Sequence, residues 1–372
     1  MKKLTLLVLV LLFAVTNSSF SQTLTYNNSP VIIAKTDYSE YRIGDRWYKG
    51  GWRIAPEVAH DTLKLTCYNK VESFEFKTDV DSIKFDLSVN ATKSFYIKMG
   101  VSEYAHTIIQ GIPFQTNSLA FDSSRISDLQ VKYQVEESAY LTNLKKGYPL
   151  SFLKDDMSDM DVVLAVLNWT HTRWKHNGMN SPSKNDAITI LKEAEEGQRF
   201  PCFAYAIVLR DQLNALGYHA RTVYLKTEDA AHRKSSPGHV ATEVYLNDLN
   251  KWIFLDGQFN VMPTLDGVPL NAVEFQDAIN NNFDEFELTT LSEEEISKKR
   301  YINFIYDYLF YLDTSLDNRY GAETTYTLDG KESMMLVPLE AEPLTHVGYW
   351  DLKVEDYCIY TNSVADFYAS PE

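Results

Sequence analysis

Three cysteines in 372 residues are too few to staple a chain of this length, so its stability has to come from burial rather than from a disulfide framework. Positive charge is also short: acidic residues outnumber basic ones by 51 to 35. No Lys/Arg cluster overrides that balance, and this excludes phosphate backbones, hence nucleic acid, and anionic lipid surfaces as partners. Hydrophobic runs long enough to cross a bilayer are missing too, as are internal repeats and low-complexity linkers. The one uninterrupted apolar stretch, Leu4 to Val15, follows Lys2 and Lys3 and precedes the small residues around Ser19-Phe20-Ser21. It is too short for a stable membrane span and reads as an export signal over residues 1–21, cleaved before Gln22. With no Cys at the cleavage point, a lipid anchor is not expected. The expectation is a periplasmic or secreted protein with no membrane insertion after cleavage.

What the chain does have is core-forming material, 45% apolar and 13% aromatic, over a length that favours two or three domains. Residues 22–140 show short alternating runs such as Ser73-Phe74-Glu75-Phe76-Lys77 and Ser94-Phe95-Tyr96-Ile97-Lys98-Met99. Turn residues separate them, the pattern of half-buried antiparallel strands, and a β-sandwich is predicted with Trp47 and Trp52 as core or sheet-face rings. Over 141–268 the period changes. Ser158-Asp159-Met160-Asp161 reads as a capping box opening a helix, a second helix is predicted over 185–196 with Asn185 as N-cap, and a third from Cys202 to Leu216, ended by Gly217. Strands at 220–225, 239–246 and 252–255 follow, the last two joined by the hairpin turn 247–250. Helices followed by an antiparallel sheet make an α+β plan. Residues 269–372 read as a mixed C-terminal α+β region, in which the rings of Tyr301 to Tyr311 form a helix packed on a neighbouring domain.

Three positions carry chemistry. Cys202 sits where a Gly- and Pro-containing loop enters an apolar helix. A thiolate there is stabilised by the helix dipole, and free N–H groups at the same turn can hold an oxyanion. If Cys67 and Cys358 pair, Cys202 is left as a free thiol; if Cys202 pairs with either, catalysis by it is excluded; three unpaired thiols are the plainest reading. His239 opens one strand and Asp256 closes its hairpin partner, so the two should meet at one sheet edge. The imidazole would take the thiol proton and the carboxylate would fix its tautomer. His171 and His176, placed on a helix, point to different faces and make no metal pair; His219 and His232 lie in turns. The mechanism calls for neither metal nor cofactor.

These residues resemble the transglutaminase-like superfamily. Gly197 to Cys202, then Gly217-Tyr218-His219-Ala220-Arg221, His239 with Glu243, and Trp252 with Asp256 match its order over roughly residues 160 to 262. The resemblance implies a papain-like core with a Cys202-His239-Asp256 triad, and Trp169 and Gln198 as candidates for holding the oxyanion. It also implies acyl transfer on an amide of a protein or peptide, with hydrolysis favoured over cross-linking. Val240-Ala241 and Gly257 depart from the family's aromatic residue after His and Pro after Asp. The alternative is a non-catalytic envelope protein that uses the same fold to bind a protein or a glycan.

Overall fold

The computed structural model describes residues 24–371 apart from 45, 50, 51, 59, 60, 69, 102, 115, 126–129, 135, 136, 294 and 295. The expected export signal, residues 1–21, lies outside the described residues. The chain forms two compact units, Met1–Gln115 and Thr116–Glu372.

The first unit is all β. Its strands are β1 (Thr25–Tyr26), β2 (Ser29–Ala34), β3 (Glu40–Ile43), β4 (Arg46–Lys49), β5 (Asp61–Cys67), β6 (Val71–Lys77), β7 (Ser82–Ser88), β8 (Thr92–Met99) and β9 (Glu103–Pro113). They form two sheets, ordered β1-β2-β8-β9-β5 and β4-β3-β6-β7. The inward residues of both share one core, where Phe76 of one sheet meets Phe95 of the other at 5.3 Å between ring centres. Alternation along β9 sends Ala105, Thr107, Ile109 and Gly111 inward, the period-two signature of a strand with one buried face. Gly111 is required there, since a Cβ would lie 2.4 Å from the Ser88 carbonyl oxygen. Two pairings, β2 with β8 and β5 with β9, are parallel, where the alternating sequence led us to expect antiparallel strands throughout.

The second unit begins with α1 (Ala139–Gly147), α2 (Asp159–His171), α3 (Ala187–Glu195) and α4 (Cys202–Ala215). Ser158 caps α2 by accepting the Asp161 N–H at 3.2 Å, and its hydroxyl donates to the Asp161 carboxylate at 2.7 Å. The cap of α3 is Asp186, which accepts the Thr189 N–H at 2.8 Å, one residue later than the expected Asn185. His171 ends α2 and His176 lies beyond it in a loop, so the two do not share a helix. Helix α4 is apolar nearly all round because it lies between two clusters. One joins it to α2 and the sheet through Leu209, Leu213, Val163 and Val244; the other joins it to α1 and α3 through Ala204, Val208, Leu144 and Ile190. A helix buried on every side shows no amphipathic stripe.

The strands that follow are β10 (His219–Lys226), β11 (Gly238–Leu246), β12 (Lys251–Leu255), β13 (Met262–Leu265), β14 (Val268–Pro269), β15 (Glu287–Thr289), β16 (Tyr311–Ser315), β17 (Ser333–Leu336), β18 (His346–Val347), β19 (Leu352–Lys353) and β20 (Cys358–Thr361). Interspersed are α5 (Ala272–Asn281), α6 (Lys298–Ile305) and α7 (Val364–Phe367). The main sheet runs β12-β11-β10-β16-β17-β20, antiparallel except for β17 with β20. Residues 269–372 are therefore not a separate region. They add three strands to the sheet and cover its second face, where Phe275 of α5 packs on Phe254 at 5.8 Å and the Phe367 carbonyl accepts from buried Arg221 at 2.8 Å. The run from Tyr301 to Tyr311 is not one helix: α6 ends at Ile305, a 3-10 turn spans Tyr306–Tyr308, and Tyr311 starts β16. Pairing of Leu312 with Leu225 and of Asp313 with Tyr224 pulls its end into the sheet, a tertiary contact that overrides local helical preference.

Candidate active site

The hairpin β11-β12 sets the first pair. Its ladder ends at Thr242 opposite Leu255, and one further step would place Asp256 opposite Ala241. His239 and Ala241 share a face, so His239 and Asp256 are diagonal neighbours across the strands. The His239 Nε2–H donates to Asp256 Oδ2 at 2.8 Å, with the imidazole 2% and the carboxylate 0% exposed. Asp256 is held on its other oxygen by the N–H groups of Gln258 at 3.0 Å and Phe259 at 3.2 Å. The next residue explains the departure from Pro: a Cβ on Gly257 would approach Tyr205 Cβ on α4 to 3.1 Å, and its carbonyl receives His171 Nδ1 at 3.2 Å.

Helix α4 delivers the thiol. Every other α-helix among the described residues starts at a Ser, Asp or Asn whose side chain accepts from its first turn, whereas α4 starts after Pro201 with no side-chain cap. The Ala204 N–H turns back to the Pro201 carbonyl at 3.1 Å, and the N–H groups of Cys202 and Phe203 stay available to an anion. Cys202 is half-buried and hydrogen-bonded to His239 and to the Val240 N–H. Burial pushes its thiol pKa up, but those two bonds and the charge of His239 outweigh burial, so the value falls below the ordinary thiol range. Burial pushes His239 the other way, toward the neutral form; the Asp256 charge and hydrogen bond, with the Cys202 contact, reverse this and raise it to about 10. Thiol and imidazole are thus shifted in opposite directions, each toward the charged form, as in a thiolate–imidazolium pair. Because Nε2 is taken by Asp256, Nδ1 is left to serve Cys202.

The other two thiols differ. Cys67 and Cys358 are buried and all three cysteines are unpaired. Burial and the Asp313 carboxylate, 3.9 Å away, push the Cys358 thiol well above its ordinary value. Of the two oxyanion candidates, Gln198 is exposed and its Oε1 receives Asn180 Nδ2 at 3.4 Å. Trp169 packs beside the cluster around α3 and α4, with the Arg173 guanidinium 4.7 Å above its ring. Among the described residues no group of three or more His, Cys, Asp or Glu side chains is placed to hold a metal, and no helix is long and apolar enough to cross a membrane.

Sequence reading missed the residues that enclose the pair. Phe304 meets the His239 ring edge-on at 5.1 Å, Tyr308 lies 6.1 Å from it, and the Tyr301 hydroxyl donates to Asp256 at 2.9 Å. Their spacing of three, then four, is one helix face, a signal present in the sequence but equally expected of plain core packing. His176, in the loop after α2, was set aside as well. Burial and the His239 charge push its pKa down, so it stands near the site uncharged.

Residues 148–257 match the model of the transglutaminase-like superfamily. In the comparison with curated proteins, none matches the chain. Among solved structures, a candidate cysteine protease from Cytophaga hutchinsonii is similar at 18% identity with a TM-score of 0.27. The match covers 46% of this chain and 55% of that one, so this chain spans about half the length of that protein.

Proposed function

We propose that this protein, whose residues 148–257 match the transglutaminase-like superfamily, is an exported cysteine enzyme that transfers the acyl group of a protein or peptide amide, to water in preference to a second amine. The observation that carries the reading is the chain of contacts from Cys202 through His239 to Asp256, with thiol and imidazole shifted in opposite directions. In the reaction, the Cys202 thiolate attacks the amide carbonyl and a C–S bond forms. The uncapped N–H groups of the first turn of α4 receive the oxyanion. As the C–N bond breaks, the His239 imidazolium gives its proton to the leaving amine. Neutral His239 then takes a proton from water as the water attacks the thioester, which releases the acid and restores the thiolate. Asp256 keeps the imidazole in the tautomer and orientation both steps require.

Cross-linking would need a second surface to hold the acceptor amine. The Cys202→Ala chain serves as the blank in a peptide library that reports cleavage and amine incorporation separately. Cleavage by the native chain alone is expected; equal signals from both chains would refute the enzyme. Its pH dependence follows from the two shifts. The rate rises as pH passes the depressed thiol value and falls as His239 loses its proton near pH 10. A rate that kept rising up to the ordinary thiol range would show that no ion pair forms.

A further inference from the structure

Tyr301 lies outside the matched segment and outside the triad, yet its hydroxyl donates at 2.9 Å to Asp256 Oδ2, the oxygen that also receives the His239 Nε2–H. Both Tyr301 and Asp256 are 0% exposed. Water is therefore excluded as the alternative donor, and the hydroxyl is held in place by its ring. That ring is stacked on Phe275 at 6.2 Å and tilted against Phe259 at 5.1 Å. Phe304, one turn further along α6, covers the imidazole that Asp256 orients.

We infer that Tyr301 is a positioning residue of the triad: its hydroxyl fixes Asp256 Oδ2 on the side of His239 and draws off part of the carboxylate's charge, so that the imidazolium is held without being over-stabilised. The inference rests on the proposed roles of Cys202, His239 and Asp256, and it acts through Asp256 rather than on substrate. Three donors converge on Oδ2 and Oδ1 besides His239, two of them backbone N–H groups that fix position. Only Tyr301 shares the oxygen with the imidazole. Removing that one donor leaves more of the negative charge to His239, and the imidazolium then persists to higher pH. A hydrogen bond to a charged group is large enough to move the alkaline limit by about one pH unit.

The test needs no substrate. Iodoacetate carries a carboxylate that favours a protonated His239, so its rate of Cys202 alkylation falls as that residue deprotonates. In Tyr301→Phe, which keeps the ring, the alkaline limit of this profile is expected to move up by about one unit, and in the Asp256→Asn background the same substitution is expected to add no shift. A Tyr301→Phe profile superimposed on the native one, or one displaced downward, overturns the assignment. Thermal unfolding reports whether the variant folds. Should it not, proton NMR of the native chain decides: a slowly exchanging Tyr301 hydroxyl with a cross-peak to the His239 Nε2 proton supports the inference, and its absence overturns it. Failure of the enzyme reading would appear elsewhere, as a native chain that alkylates normally and turns over no amide.

Discussion

One face of the main sheet carries two buried charge pairs on neighbouring strands, and they differ in what their chemistry permits. Arg221 and Glu243 are each 0% exposed and 2.8 Å apart. Further partners hold the pair: Glu243 accepts from the Tyr368 hydroxyl and the Ala272 N–H, Arg221 donates to the Phe367 carbonyl, and the guanidinium lies 4.3 and 4.6 Å from the ring centres of Trp252 and Phe367. His239 and Asp256 are equally buried and equally close, but one imidazole nitrogen is left to face a thiol. An arginine cannot shed its proton inside a protein, so its pair can only hold the fold together. A histidine can, and that lets its pair exchange a proton.

Breaking each pair should separate these roles. Glu243→Ala strands a guanidinium that cannot neutralise itself, and unfolding in urea should show a loss of about 3–5 kcal/mol. Asp256→Ala leaves a histidine that can become neutral, so its stability loss should be clearly the smaller of the two. Its cost falls on chemistry instead: iodoacetamide labelling of Cys202 at pH 7 should slow by about a hundredfold. Comparable stability losses would erase the distinction. Replacing the first pair together, Arg221→Met with Glu243→Leu, should come close to native stability, as apolar replacements of buried pairs often do. The smallest effect sharpens the contrast between stability and reactivity at α4. Pro201→Ser supplies the missing cap, which should add about 0.5–1 kcal/mol. Because a serine hydroxyl that accepts the Phe203 N–H takes a donor from the anion, labelling of Cys202 should slow. Faster labelling would contradict the role given to the uncapped turn.

The meeting of Cys202, His239 and Asp256 could be read from the sequence because each sits at a boundary with its own local signal. Gly197 and Pro201 mark the entry to α4, the 247–250 turn fixes a hairpin, and a hairpin brings the start of one strand to the end of the next. The motif partners Arg221, Glu243 and Trp252 were equally visible, but nothing local says that they build a structural pin rather than a site. That knowledge lies in Phe367 and Tyr368, far along the chain. Tyr301 was hidden for a different reason: an aromatic residue on a helix face looks the same whether its hydroxyl is idle or bonded to Asp256. In the first unit, alternation revealed strands but not their direction, because side chains alternate identically in parallel and antiparallel pairs.

The contact between Arg221 and the Phe367 carbonyl, 146 positions apart, also orders events during synthesis. A ribosome that has released Asp256 has already made the complete Cys-His-Asp set, yet Tyr301 and the residues that enclose Arg221 have still to emerge. The nascent chain thus carries the Cys202 thiol before the residues that enclose His239 and Asp256 have been made. The sheet that carries His239 can be completed only once β20, near the end of the chain, has been made, a sequence of events set by contact order alone.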